Sequence, residues 1–341
     1  MDASINRNEG ILMRPTIYDV AEESNVSIAT VSKVINNTGN MRDSTRERIK
    51  DAMKRLNYRP SMMASALTGK GTETLGLLVP DISNPFFSEM ARTIEDRAHE
   101  SGMSVIICST DSDPEKEEKY LDLLQRKQVD GFIVASTFQD KNLLKELKTN
   151  GIPLVMLTHD NVGLDVTSVS VDDFKGGYEA TSYLISKGHK NIVIIAEHAN
   201  SSNMRIYGYR EAHTAHGLIC SEENIYKTTA TLENGKKKLM EIVDKGETPT
   251  AIFACNDLIA IGVIQGAKEI GLHVPEQLSV VGFDNTILAT TTVPELTTVA
   301  QPIADMGRKV VDVIIAEIKG NEFATESVLF SPQLIVRGTT S

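Results

Sequence analysis

Hydrophobic positions after Ile17 recur at helical spacing, and a polar interruption divides them into two short segments. Thr16 followed by Asp19 predicts a capped helix that starts at Ile17. Asn25 suits the left-handed conformation that ends such a helix. The small side chain of Ala21 lets two neighbouring helices approach closely. The pattern therefore predicts two short helices that pack against each other.

A second helix is predicted from Ser27, a favourable N-cap, to about Asn36. A third helix follows, for which Ser44 with Glu47 three residues later is the predicted cap. Apolar side chains of the second and third helices close a small core: Val31, Val34, Ile35, Ile49, Met53 and Leu56. This arrangement is typical of a helix-turn-helix unit, although a small helical bundle with another purpose has similar spacing.

In a helix-turn-helix unit, the second helix enters the major groove of DNA. Ile28 and Ala29 are apolar at its exposed start, where they can pack against thymine methyl groups, and Lys33 can donate to guanine. Hydroxyl and amide side chains suit phosphate contacts that fix the register on DNA. The predicted phosphate contacts are Ser27, Thr30, Ser32 and Asn36, and Thr16 is a further predicted DNA contact.

From Leu75 onward, apolar runs of strand length alternate with helical patterns. Continuous Val, Ile and Leu runs are typical of strands buried on both faces of a parallel sheet. The predicted strands are LGLLVP, MSVIIC, DGFIVAS, IPLVML, NIVIIA, TAIFAC and LSVVGF, and the predicted helices span about 86–101, 115–128, 174–187, 203–216, 232–244 and 256–270. The pattern predicts a doubly wound α/β body, long enough for two similar lobes.

Ligands of open parallel sheets bind beyond the carboxyl ends of the strands, and polar side chains follow several of the predicted strands. A hydroxyl-rich ligand needs fixed polar groups and an apolar surface, which Arg205, Asn256, Asp284 and Phe87 can supply. Other roles fit as well. Asn256 can cap a helix, Asp284 can cap a turn, and Phe86 can belong to the core.

The formal charge of −11 is distributed unevenly along the 341 residues. Residues 1–71 contain 11 lysines and arginines and 8 aspartates and glutamates, which gives +3, whereas the remaining residues carry −14. A mildly basic head on an acidic body can approach DNA while the body is kept away from it.

Several classes of protein are disfavoured. The three cysteines are far apart and lack C-x-x-C spacing, so we expect neither a disulfide framework nor a metal site, and no cofactor. No apolar run approaches the roughly 20 residues that span a bilayer, and the first ten residues are too polar for a signal peptide, which favours the cytoplasm. Neither G-x-G-x-x-G nor G-x-S-x-G follows a strand as in dehydrogenases and hydrolases. We therefore expect no enzyme.

Long motifs carry a resemblance to a known family. TIYDVAEESNVSIATVSKVINN and RERIKDAMKRLNYRPSMMASALTGKGTETLGLLVPDISNPFF resemble the lactose-repressor (LacI/GalR) family of bacterial transcription regulators. The resemblance continues through KGHKNIVII, RIYGYREA, CNDLIAIGVIQGAKEIGLHVPEQLSVVGFDN and LTTVAQP, from about Arg14 to Arg337. It implies a repressor that binds a near-palindromic operator as a homodimer, and whose DNA affinity a small effector controls.

The family's domain organisation is expected to apply here. It comprises the helix-turn-helix domain (14–60), a hinge helix (61–72) and a two-lobed body like a type I periplasmic-binding protein (73–337). Residues 1–13 lie outside the resemblance; we expect a disordered extension there, and translation can start at Met1 or at Met13. The first lobe should combine about 73–172 with 301–325, and the second about 173–300 with 326–337. The resemblance implies that the hinge folds when paired on DNA and that Ala64 and Leu67 contact the minor groove. No heptad repeat follows Arg337, so we expect a dimer rather than a tetramer.

The resemblance also assigns the effector to the cleft between the lobes, at Phe86, Phe87, Arg205, Asn256 and Asp284. We expect a sugar or a related polyol, with a purine nucleobase or a phosphorylated protein partner as alternatives.

Two positions depart from the common pattern of the family. His159 stands where many relatives carry a charged or amide residue, and either contact with the ligand or a structural role is open to it. Lys33 replaces the more usual arginine, which loses the planar fork for a bidentate guanine contact.

Overall fold

The computed structural model describes residues 15–35, 38–59, 71–135, 138–157, 164–246, 249–321 and 327–341. The predicted extension and residues 61–70 of the predicted hinge lie outside the described residues. The chain forms two units, of which one ends at Thr72 and the other begins at Glu73.

The described part of the first unit contains the three predicted helices, α1 (Ile17–Glu23), α2 (Ile28–Ile35) and α3 (Asp43–Arg55). Their apolar faces meet in one core, whose buried members are Val20, Ala21, Val31, Val34, Ile49 and Ala52. The short helices are therefore stabilised by packing against one another rather than by their own length.

Hydrogen bonds at the helix ends confirm the predicted limits of α1 and the start of α2. The backbone N–H of Thr16 donates to Asp19 Oδ2 at 2.6 Å, as a capping box requires. Asn25 adopts a left-handed φ of 50° directly after α1. The N–H of Thr30 donates to Ser27 Oγ at 3.2 Å, so Ser27 caps α2.

The predicted cap of the third helix was wrong. Helix α3 begins at Asp43, and the extended Arg42 stands at the N-cap position without a side-chain cap bond, so Ser44 lies within the first turn. The negative charge of Asp43 is favourable near the positive end of the helix dipole, which explains why the helix starts before the predicted cap.

The described part of the second unit contains two six-stranded sheets, one in each lobe. The sheet of the first lobe is fully parallel, in the order β11-β5-β4-β3-β1-β2. Its strands are β1 (Thr74–Val79), β2 (Ser104–Ser109), β3 (Gly131–Val134), β4 (Leu154–Met156), β5 (Thr167–Val171) and β11 (Ser327–Phe330). The helices of this lobe are α4 (Pro85–Glu100), α5 (Pro114–Arg126), α6 (Lys141–Thr149) and α11 (Ile303–Ile318).

The sheet of the second lobe has the order β12-β10-β9-β8-β6-β7 and is parallel except for the antiparallel edge strand β12. Its strands are β6 (Ile192–Glu197), β7 (Ile225–Thr228), β8 (Ala251–Ala254), β9 (Ser279–Asp284), β10 (Thr297–Ala300) and β12 (Gln333–Ile335). The helices of this lobe are α7 (Asp173–Ser186), α8 (Asn200–Ala215), α9 (Leu232–Asp244) and α10 (Asp257–Glu269). The two sheets confirm the predicted α/β class.

The last crossover between the lobes differs from the prediction. Strand β11 pairs in parallel with β5, from Ser327 opposite Ser168 to Phe330 opposite Val171, so it belongs to the first lobe. The family resemblance predicts residues 326–337 in the second lobe, and for β11 this prediction is wrong. The chain returns to the second sheet only at β12, whose Leu334 lies opposite Val299. An edge strand with alternating exposed and half-buried residues lacks the continuous apolar run that identified the central strands.

Helices α7 and α8 pack against each other at glycines. A Cβ atom on Gly177 would lie 2.2 Å from the carbonyl oxygen of Arg205, and one on Gly208 would lie 2.1 Å from the carbonyl oxygen of Phe174. Both distances are far below van der Waals contact. The two glycines thus permit the backbone of α8, and with it Arg205, to lie directly against α7.

Candidate functional site

The start of α2 presents the side chains that the sequence assigned to DNA bases. Ile28 is 40% exposed, and Ala29 and Lys33 are exposed as well. An exposed isoleucine beside an exposed alanine forms a small apolar surface with a cation about one turn away. This surface can contact thymine methyl groups and guanine acceptors.

The residues predicted to contact phosphate differ in their exposure and in the hydrogen bonds that they already make. Ser27 is exposed, but its Oγ lies 2.8 Å from Thr30 Oγ1, so these two hydroxyls bind each other at the helix cap. Ser32 is half-buried. The hydroxyl of Thr16 donates to Asp19 Oδ2 at 2.8 Å. The hydroxyl groups of Ser27, Thr30 and Thr16 therefore already take part in helix caps, and a phosphate would have to bind them in addition to, or in place of, these cap contacts.

Sequence reasoning missed one exposed aromatic residue of the head. Tyr18 on α1 is 68% exposed, so its ring and hydroxyl group are accessible on the surface of the head. The signal was present in the sequence, since the ring lies next to Ile17 and outside the apolar stripe. The predicted contacts Asn36, Ala64 and Leu67 lie outside the described residues.

The body contains a cavity of about 90 Å³ between its lobes, beyond the carboxyl ends of the strands. The first lobe contributes Asn84, Phe86, Phe87, Leu157, Ser170, Val171 and Met306 to its lining. The second lobe contributes Asp173, Glu197, Ser201, Arg205 and Asp284, and Gln301 lies in the crossover after β10. The position agrees with the rule for ligand sites of open parallel sheets.

Arg205 is held in place by three neighbours. Its Nε–H donates to Asp173 Oδ1 at 2.8 Å, and its Nη1 donates to the carbonyl oxygen of Cys255. Its guanidinium carbon lies 3.6 Å from the centre of the Phe283 ring. Burial alone would lower the pKa of Arg205, but Asp173, Asp284 and Glu197 outweigh it and raise this pKa, so the side chain stays charged.

Asp284 ends β9 with a φ of 107°, which a residue with a side chain rarely adopts. Its Oδ1 accepts from Gln301 Nε2 at 2.7 Å. Burial raises the pKa of Asp284 well above its usual value, against the opposing effect of Arg205. A strained, buried carboxyl at the end of a central strand is typical of a binding site.

Glu197 and Asn256 lie side by side at the ends of β6 and β8. Asn256 Nδ2 donates to Glu197 Oε1, and burial raises the pKa of Glu197 while Arg205 opposes this. Asn256 Oδ1 also accepts from the N–H of Ile259 at 2.8 Å and caps α10. Asn256 is thus a helix cap that also orients a carboxyl in the cavity.

Asp257 lies behind the cavity lining and has a structural role. Its Oδ2 accepts from the backbone N–H of Thr286 at 2.7 Å, and its Oδ1 accepts from Thr298 Oγ1 at 2.7 Å. Burial raises the pKa of Asp257 to about 6. This carboxyl ties α10 to the segment that follows Asp284.

Phe86 and Phe87 supply an aromatic wall on the first lobe. Their ring centres lie 5.1 Å apart at an angle of 78°, an edge-to-face arrangement. Both rings also pack against the core of that lobe. Phe86 therefore belongs to the core, as the sequence allowed, and also lines the cavity.

The cavity therefore brings together Phe86, Phe87, Arg205 and Asp284 of the predicted residues, whereas Asn256 lies behind its lining. His159 lies outside the described residues. Sequence reasoning missed Asp173, Glu197 and Gln301. Glu197 could have been found, because it is the residue directly after a predicted strand.

The described part of the chain contains neither a membrane-spanning helix nor a candidate metal site. There, no helix has the length and apolar character to cross a membrane. The same residues contain no cluster of three or more His, Cys, Asp or Glu side chains suited to a metal ion.

Two family models match the chain. Residues 16–61 match "Bacterial regulatory proteins, lacI family", and residues 72–336 match "Periplasmic binding proteins and sugar binding domain of LacI family". The boundary between the two matches lies between the head and the body.

Individual proteins are similar over nearly the whole length. The HTH-type transcriptional regulator DegA of Bacillus subtilis (strain 168) is 44% identical over 334 residues, which are 96% of this chain and 99% of that protein. Catabolite control protein A of Priestia megaterium is 39% identical, over 86% of this chain and 90% of that protein. The lac repressor dimer bound to operator and the anti-inducer ONPF has a TM-score of 0.84 at 26% identity, over 96% of this chain and 99% of that one.

Proposed function

Because the chain belongs to the LacI family of bacterial DNA-binding transcription regulators, we propose that it is a repressor whose operator affinity is set by a small effector in the cavity. In this proposal a homodimer binds a near-palindromic operator in the cytoplasm, and a sugar or related polyol is the effector. The protein binds and releases ligands and catalyses no reaction.

The convergence of unlike side chains in the cavity carries the effector half of this proposal. Phe86 and Phe87 offer an apolar wall, and Arg205 and Asp284 offer a buried donor and acceptor opposite. A sugar has an apolar ring face and a rim of hydroxyl groups, so it matches both surfaces at once. The cavity lies between the lobes, so a ligand there favours their closed arrangement.

Similar proteins support the effector class. One similar structure is a complex of the transcriptional regulator CelR with cellobiose, with a TM-score of 0.74 at 29% identity. Another is a LacI family regulator from Enterococcus faecium with bound ribose, at 32% identity and a TM-score of 0.72. The HTH-type transcriptional repressor PurR of Histophilus somni, 33% identical over 325 residues, supports the repressor role.

Contacts across the cleft support the proposal that a ligand controls the arrangement of the lobes. Glu89 on α4 accepts from the backbone N–H of Ile287 in the second lobe at 2.9 Å. Gln301, in the crossover, holds Asp284 of the cavity. A ligand that binds Asp284 therefore acts on one of the segments about which the lobes move, which is the differential contact that allosteric control requires.

Thermal unfolding against a panel of sugars and nucleobases tests the effector proposal. At 100 times its dissociation constant, a ligand adds about 2.7 kcal/mol to the free energy of unfolding. We expect one sugar to raise the Tm of the wild type, a much smaller shift in Asp284→Asn, and an unchanged shift in Asp244→Asn, an exposed carboxyl at the end of α9. The same sugar should change operator affinity in a DNA titration.

Other results of this experiment favour the alternatives. A shift with a nucleobase instead of a sugar would identify a purine effector. The absence of any shift from a protein that still binds palindromic DNA would favour a phosphorylated protein partner.

Lys33→Ala tests the reading of DNA by α2. We expect the loss of roughly 1–3 kcal/mol of operator affinity together with relaxed preference at one base pair of each half-site, because a base contact is lost. Affinities for a set of operators with single base changes measure both. A uniform loss over all sequences would show that Lys33 contacts phosphate only.

A further inference from the structure

The polar lining of the cavity is unbalanced in charge. Among the described residues that line it, Arg205 is the one cation, and Asp173, Glu197 and Asp284 are three carboxyls. All three carboxyls lie close enough to Arg205 to influence its pKa. One positive and three potentially negative groups thus surround the same small space.

The single cation is already engaged. Arg205 donates to the Asp173 carboxylate and to the carbonyl oxygen of Cys255, and its face lies on the Phe283 ring. Asp173 neutralises its charge at an N···O distance of 2.8 Å, and both side chains are almost fully buried. An arriving anion would therefore have to compete with a buried internal partner for Arg205.

Two carboxyls remain beyond this neutral pair. Glu197 is held by the amide of Asn256, and Asp284 by the amide of Gln301. Both amides are uncharged, so they orient the carboxyls without neutralising them. Burial raises the pKa of both carboxyls, but in neither protonation state do they supply the positive charge that a buried anion needs. Their oxygens accept hydrogen bonds from hydroxyl and ammonium groups, and the ionised form repels phosphate and carboxylate.

We propose that the cavity selects its effector by charge. It binds a hydroxylated ligand that is neutral or carries an amine, and it rejects the phosphorylated or carboxylated form of the same carbon skeleton. Glu197 and Asp284 enforce this selection, since Arg205 is paired with Asp173. The inference rests on the proposed function, in which this cavity holds the effector, and it narrows the chemical class of that effector.

Matched ligands test the selection directly. We expect that a neutral sugar or its amino derivative raises the Tm, and that the phosphate or uronic acid of the same sugar binds at least about tenfold more weakly, since charges a few ångströms apart in the interior repel strongly. Glucose, glucosamine, glucose 6-phosphate and glucuronate form one such set, and galactose and ribose provide others. An anionic member that binds more tightly than its neutral parent would overturn the proposal.

A second measurement needs no knowledge of the effector. Inorganic sulfate is titrated against the wild type, the double variant Glu197→Gln/Asp284→Asn and the control Glu211→Gln, which changes an exposed carboxyl of α8. Sulfate stabilises most proteins without a specific site, and the control measures this general effect. We expect wild type and control to show the same gradual rise in Tm, and the double variant to show an additional saturable rise at millimolar sulfate.

The two measurements separate the charge selection from the proposed function. Saturable sulfate binding by the wild type in the cavity, or no additional binding by the folded double variant, would overturn the charge selection. Circular dichroism and operator binding establish that the double variant is folded. If no sugar shifts the Tm, the sugar effector of the proposed function fails, while the sulfate titration still decides whether the cavity excludes anions.

Discussion

The two lobes line one cavity with different kinds of side chain. The first lobe contributes mainly Phe86, Phe87, Leu157 and Met306, whereas the second lobe contributes Arg205 and the carboxyls around it. The first-lobe groups can recognise the shape of an apolar surface, and the second-lobe groups can recognise hydroxyls and charge. A ligand that satisfies both must contact both lobes together, so in the proposed mechanism its binding favours the closed arrangement of the lobes.

The loss of Arg205 should have the largest effect, because it breaks the second-lobe network. Arg205→Ala leaves Asp173 buried without its partner, which costs about 3–5 kcal/mol of the free energy of unfolding. Urea unfolding measures this loss. Arg92→Ala in the first lobe is the control, since the ion pair of Arg92 with Asp96 is exposed and contributes little. Similar losses in both variants would contradict the contrast between the lobes.

The second lobe should also respond to pH through Asp257. Its pKa is about 6 in the folded protein, above the usual value of an aspartate, so the folded state holds the proton more tightly. The resulting stability is fully present below about pH 4, is lost as the pH rises through 6, and amounts to about 3 kcal/mol. Asp257→Asn should therefore gain stability relative to the wild type between pH 4 and pH 7.

Urea unfolding of both proteins at several pH values measures this difference. Burial also raises the pKa of Glu117 and Glu317 in the first lobe and of Glu197 and Asp284 in the second lobe. Both proteins contain these four groups, so their contributions cancel except for the part of the Asp284 shift that Asp257 itself causes. Asp244→Asn should follow the wild type at every pH. Parallel curves for Asp257→Asn and the wild type would remove Asp257 as the source.

Phe87→Ala should lower the affinity of the cavity for every ligand and leave the preference for neutral over anionic ligands unchanged. The loss of an aromatic wall reduces effector affinity by roughly 1–3 kcal/mol for all members of a matched ligand set. Phe174→Ala, a phenylalanine of the second lobe that is outside the cavity lining, should bind the effector as the wild type does. A change in the ratio of neutral to anionic ligand affinity in Phe87→Ala would show that the two recognition surfaces are not separate.

The smallest effect is expected where the lobes meet outside the cavity. Glu89→Gln weakens the acceptor for the N–H of Ile287, so we expect a loss of about 0.5–1 kcal/mol in effector affinity. Calorimetric titration can resolve a difference of this size. Glu95→Gln on the same helix should have no effect. An equal affinity in Glu89→Gln would mean that this bond is present in both the open and the closed arrangement.

The central part of the fold was readable from the sequence, because strands such as β1 and β9 are buried along their whole length and appear as unbroken apolar runs. Strand β5 was missed because Ser168 and Ser170, although buried, interrupt the apolar run by which the other central strands were identified. Helix α11 was also missed. Its VVDVIIAEI segment is rich in β-branched residues, which favour strands. The segment forms a helix because its apolar face packs against the sheet of the first lobe.

The candidate site was readable only in part, for a related reason. Arg205 and Asp284 are identifiable by motif and by their position near strand ends. The pairing of Arg205 with Asp173 joins residues 32 positions apart, and the folded contact of α7 with α8 creates it. Spacing along the chain contains no information on such a pair, and the charge balance of the cavity became visible only in three dimensions.

The close approach of α7 and α8 at Gly177 and Gly208 has a consequence for how this protein can evolve. Side chains around the cavity can be exchanged one at a time, but a side chain at Gly177 or Gly208 would clash with the backbone of the neighbouring helix and displace the segment that bears Arg205. New ligand preferences should therefore arise from exchanges of the side chains around Arg205 rather than from a shift of the helix that bears it. Descendants of this protein should diversify in the residues facing Arg205 and retain the two glycines.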